Sequence, residues 1–129
     1  MAKLDDLIKR YKRDALSTAK LAAADLSNRV IHRTPVDKGS LRASWTPNLN
    51  TPHAVNININ DDAPMPDRHN HSAVINHMQQ GDEYYLCNGQ PYARRIEYEG
   101  HSGQAPSGML RVSCAEWQQI VNGAAKRGN

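Results

Sequence analysis

The residues of this chain best suited to chemistry gather between Asp61 and His77: Asp61-Asp62, Asp67, His69-Asn70-His71 and His77. Imidazoles and carboxylates in one stretch suggest a metal ion, and His69-Asn70-His71 suggests an HNH nuclease. Such an enzyme spreads its general base and metal ligands over several elements around one ion. Three adjacent letters cannot supply that spread, and no Cys pairs brace the region. His69, His71 and His77 with Asp67 lack the tight ligand pattern of a zinc site. Asp61-Asp62 has no phosphate-binding glycine loop or matched lysine beside it, and no GxSxG, HExxH, Walker or dinucleotide fingerprint occurs elsewhere. The expectation is a protein that is not an enzyme, with no catalytic residues, metal or cofactor. A metal-dependent HNH-like nuclease using His69, His71 and Asp62 is the rival reading, and a non-specific DNA-binding accessory protein is the third.

A second group of charges, Arg94, Arg95, Glu97 and Glu99, falls on a short predicted helix. Its simplest reading is a solvated face with weak ion pairs; a sharper one has some of these charges crossing a subunit boundary. Gly100, Gly103 and Gly108 around Pro106 read as a compact turn before the last helix. Cys87 and Cys114 have no CxxC spacing and read as reduced, partly buried thiols. Trp45 and Trp117 read as core or interface anchors.

The elements that must carry these residues follow from periodicity. Leu4, Leu7, Ile8, Tyr11, Ala15, Ala19, Ala22, Leu26 and Val30 recur every three or four residues, predicting one amphipathic helix from Lys3 to about His32. Its centre, AKLAAAD, has high helix propensity, and Thr34-Pro35 ends it. Leu41, Ala43 and Trp45 alternate with polar residues as in a strand, Pro47 to His53 reads as a loop, and Val55, Ile57 and Ile59 predict a half-buried strand. Asp61 to Asn70 reads as a mobile polar loop. Ser72 to Gln80 predicts a short helix stopped by Gly81, and Glu83 to Cys87 a third strand closed by Asn88-Gly89. Tyr92 to Glu99 predicts another short helix, and Ser107 to Ala125 a final one. That helix turns Met109, Leu110, Ser113, Trp117, Ile120, Val121 and Ala124 inward, and residues 126–129 fray. The sum is a single α+β domain over residues 1–129, with a long N-terminal helix and a C-terminal helix on a small, mainly antiparallel sheet.

The 129 residues suffice for a modest core, but with 39% apolar residues, no Phe and a mean hydropathy of −0.73 the surface is very polar. The net charge of +3 is unevenly spread: residues 1–45 hold 10 basic and 5 acidic groups, 46–90 hold Arg68 against five acids, and 91–129 hold 5 basic and 3 acidic. Segments of opposite sign suit head-to-tail subunit contacts. The basic groups are interleaved with acids, which disfavours sequence-specific DNA recognition. Met1–Leu7 is polar with no apolar run after it, so neither a secretory leader nor a membrane span is expected.

Three blocks, RTPVDKGSLRASW (33–45), GDEYYLCNGQPYARRIEYEG (81–100) and HSGQAPSGMLRVSCAEW (101–117), resemble in order and spacing the neck or tail-completion proteins of tailed bacteriophages, the small head–tail joining proteins. Residues 50–80 match that pattern only loosely. The resemblance implies a structural virion protein, assembled in the host cytoplasm as a homo-oligomeric ring, hexameric in preference to dodecameric. Such a ring completes the tail and joins it to the head connector. Implied partners are the head connector or stopper and the tail-tube or tail-terminator proteins, with non-specific contact to DNA in the channel and none to a membrane. On this reading Arg42, Trp45, Tyr92, Arg95, Glu97, Tyr98 and Met109 are the candidate subunit or partner contacts.

Overall fold

The computed structural model describes residues 2–35, 40–55, 69–98 and 108–128. Helix α1, Ala2–Arg33, follows its predicted span to within a residue at each end. Asp5 in its first turn and His32 and Arg33 in its last complement the helix dipole. Thr34 closes it: its amide donates to the Ile31 carbonyl and its hydroxyl to the Val30 carbonyl.

The segment that follows residues 36–39 differs from expectation. Leu41 and Ala43 lie on a single helical turn, α2 (Ser40–Ala43), and the strand begins only at Trp45: β1 is Trp45–Leu49. Alternation over so few residues does not distinguish one turn of helix from a strand. Pro47, expected in a loop, is in β1 opposite Leu86 of β2 (Tyr84–Asn88). The two strands form an antiparallel two-stranded sheet, and among the described residues each has an edge without a partner strand, where a residue without an N–H is tolerated. Asn50 (φ 67°) ends β1: its amide donates to the Glu83 carbonyl, and its side chain accepts from the Glu83 amide and donates to Asp82. The strand expected from Val55 to Ile59 falls outside the described residues except for Val55, which is not in a strand but accepts a hydrogen bond from the Gly89 amide.

Helix α3 is His69–Asn76, starting earlier than expected and ending before Gly81, which instead serves the approach to β2. His69 and Asn70 therefore open a helix and do not belong to the expected loop. Helix α4 is Ala93–Tyr98. The single final helix expected from Ser107 to Ala125 is two: α5, Leu110–Ala115, and α6, Trp117–Gly128, separated by a turn at Glu116.

Two apolar clusters hold these elements. Val30, Ile31, Leu41, Trp45, Ile96 and Met109 pack where the end of α1 meets the sheet, α4 and α5. Ala22, Ile120 and Ala124 pack where α6 lies along α1, and Leu26 touches both clusters. The Trp45 indole N–H donates to the Thr34 hydroxyl at 2.8 Å in a fully buried contact. Thr34→Val keeps the volume but leaves that N–H without its acceptor, and an orphaned buried donor costs about 1–3 kcal/mol. Denaturant unfolding should show a loss of that size, whereas a change within about 0.5 kcal/mol would show that the bond contributes little.

Candidate assembly surface

The apolar stripe of α1 is covered for only part of its length. At ~1.5 Å per residue the 32 residues of α1 extend about 48 Å and the 12 residues of α6 about 18 Å. α6 lies against the second half of α1: Ile120 and Ala124 cover Ala22, and Glu116 meets Arg29 and Arg33. Every residue from Lys3 to Arg13 is exposed. Leu4 is 54% exposed, Leu7 58%, Ile8 43% and Tyr11 77%, although sequence periodicity assigns them to the same inner face as Ala22. A helical arm of this length is marginal in water on propensity alone. Beyond it the stripe runs into an apolar groove of about 410 Å³, with Ala15, Ala19 and Ala22 along α1 and Met78, Tyr84, Trp117 and Val121 among its other lining residues. Trp117, expected to face inward, is 45% exposed at this groove because α6 restarts there after the turn at Glu116.

Glu116 is drawn to that turn by charge. Both of its oxygens accept from the Arg33 guanidinium, and Arg29 reaches it at 3.2 Å while its Nε contacts Asp25 at 2.9 Å. The bond from Arg33, helped by the contact from Arg29, outweighs the upward push of burial and holds the Glu116 carboxyl below the usual range.

Glu97 makes the other clasp. Its carboxylate is 5% exposed and accepts from the backbone amides of Met109, Leu110 and Arg111, the donors that the start of α5 leaves unpaired. Arg111 adds a bond from Nε to the carboxylate and one from Nη2 to the Glu97 carbonyl. Gly108 lets the chains approach this closely. Its φ is +89°, and a Cβ there would stand 2.6 Å from Glu97 Oε2 and 2.7 Å from its carbonyl oxygen.

Of the residues suggested as contacts, Trp45, Glu97 and Met109 are interior, with almost no surface to offer a partner. Arg42 ties α2 to the end of α1, donating to the carbonyls of His32 and Thr34. Tyr92 and Tyr98 are 39% and 59% exposed, and Arg95 is exposed on α4. The Tyr98 ring lies beneath two guanidinium groups, Arg111 at 4.6 Å and Arg94 at 5.5 Å, a paired cation–π contact.

The proposed metal ligands are not brought together by what is described. Asp61, Asp62 and Asp67 lie outside the described residues, His77 is exposed, and among the described residues no three His, Cys, Asp or Glu groups gather around a point. His71 is half-buried, and both its ring nitrogens are enclosed with no hydrogen-bond partner among the described residues. Cys87 is half-buried, but Cys114 is exposed and not partly buried as expected. No described helix is long and apolar enough to cross a membrane. Comparison of the chain with protein-family models, curated proteins and solved structures gives no match.

Two pH effects follow. Burial raises the Glu97 carboxyl, but the amides of Leu110, Arg111 and Met109 and the Arg111 side chain together outweigh it and leave it below its usual 4.5. A depressed folded value means its stabilisation is complete above about pH 4.5 and fades as pH falls through the folded value. Glu97→Gln should remove that acid dependence and lower stability at pH 7 by about 1–3 kcal/mol, measured by denaturation at several pH values. Burial lowers His71 below its usual 6.5, so the unfolded chain takes up a proton the folded chain resists. Stability should therefore decline as pH falls below about 6.5, and His71→Leu should flatten the profile between about pH 7.5 and 5.5; an unchanged slope would show that His71 is not its source.

Proposed function

We propose that this protein is a structural subunit of the tailed-phage neck, forming a ring that completes the tail and meets the head connector. The observation that carries the reading is the uncovered arm of α1, Lys3 to Arg13, with four large apolar side chains exposed on one stripe. An exposed apolar helical face with no partner among the described residues is the expected form of a surface that another chain covers. The succession of residues 33–45, 81–100 and 101–117 supplies the particular class of assembly. A ring needs one face of each subunit to bind a different face of its neighbour. The exposed arm at one end of α1 and the Arg94–Tyr98–Arg111 patch on α4 and α5 are two distinct faces of that kind.

On this reading the product is binding energy and not bond-making. Deleting the reading frame from the virus that encodes it should leave filled heads and finished tails unjoined under electron microscopy, with complementation in trans restoring them. Infectious particles formed in its absence would remove the proposal. Cleavage of plasmid DNA with Mg²⁺ or Zn²⁺, abolished by His71→Ala, would promote the nuclease in its place.

A further inference from the structure

The exposed arm carries more information than its apolarity, because its charges have an order. At ~100° per residue, Leu4, Leu7, Ile8, Tyr11 and Ala15 share one stripe of α1. Asp5 and Lys12 border one side of that stripe, and Lys3, Arg10 and Asp14 the other. Asp6, Lys9 and Arg13 fall on the back. Each border therefore has one acidic and one basic end, and the two borders run in opposite senses.

We infer that the arm pairs with the same arm of a second copy of this chain, the two helices antiparallel and related by a two-fold axis. With Ile8 set against Tyr11 of the other copy, Leu4 meets Ala15 and the larger side chains interleave with the small one. Asp5 then comes within a turn of Lys12 on one border, twice by symmetry, and Lys3 within a turn of Asp14 on the other. A parallel pairing would bring both bodies to the same end of the pair, where α6 of each copy already covers the stripe at Ala22, so the packing of α6 selects the antiparallel arrangement. Leu4 of each copy also arrives at Ala15, the mouth of the apolar groove that continues to Trp117. The end of the arm thus rests on apolar surface and not on water. Because both copies present the same surface, the contact closes as a dimer. The pairing belongs to the free chain and stands apart from the virion role.

Sedimentation equilibrium of the whole chain over a wide concentration range tests it. The wild-type chain should form dimers. Asp5→Lys and Lys12→Asp should each weaken the dimer by about tenfold, since each turns two attractions into repulsions. The double variant exchanges the charges and should return to within about threefold of wild type, a rescue that a parallel pairing does not give. Ile8→Asp should abolish dimerisation while far-UV circular dichroism and the unfolding midpoint confirm a folded body. A wild-type chain that stays monomeric throughout, or a double variant no tighter than the single ones, overturns the inference.

Discussion

The Glu97 carboxylate is the contact on which the second half of the fold depends. It is an acid placed inside the protein, tolerable only because three amide hydrogens and a guanidinium converge on it. In return it caps α5 from α4, a different part of the chain, and fixes where the path from α5 to α6 begins. Gly108 is the geometric condition, since any side chain there would strike the group it serves. Once α5 is fixed, Glu116 falls beside Arg29 and Arg33, and Ile120 and Ala124 land on Ala22. One buried charge thus sets the packing of α6 on α1.

That packing also determines what stays uncovered. α6 is too short to reach the first third of α1; α3 meets α1 at Lys20, the turn after it reaches Lys12 through Gln80, and the sheet gathers around the later turns. The result is a body with an apolar arm, and the arm is the surface on which both proposals rest. In a free pair the stripe is satisfied by its own copy; in the proposed ring it is satisfied by a neighbour or a virion partner. The two states are different uses of one face, and a change of partner is the step that would link them.

How much of this was legible in the sequence depends on range. α1 was clear because nine apolar positions keep helical spacing, and the α+β class followed from one long helix, short strands and a closing helix. Pro47 in β1 was not, because a proline argues against a strand until the strand is known to have an open edge. The break at Glu116 was hidden because Ser113, Ile120 and Ala124 keep the phase of a continuous helix; only the distant arginines explain it. Glu97 read as a surface charge among Arg94, Arg95 and Glu99, since nothing local reveals that amides from residues 109–111 will fold back on it. The arm was half legible: periodicity marked its apolar residues but not that their cover stops short. The length of α1 against that of any later helix was the available signal.

Hydrogen–deuterium exchange along α1, measured at low and high protein concentration, tests most directly whether the arm is a surface that another chain covers. The account predicts that amides from residues 3–13 exchange rapidly when the chain is dilute and become protected as concentration rises. Those of residues 20–33, already packed in the body, should not change. Rapid exchange of the arm at every concentration, with or without the proposed partners, would contradict it.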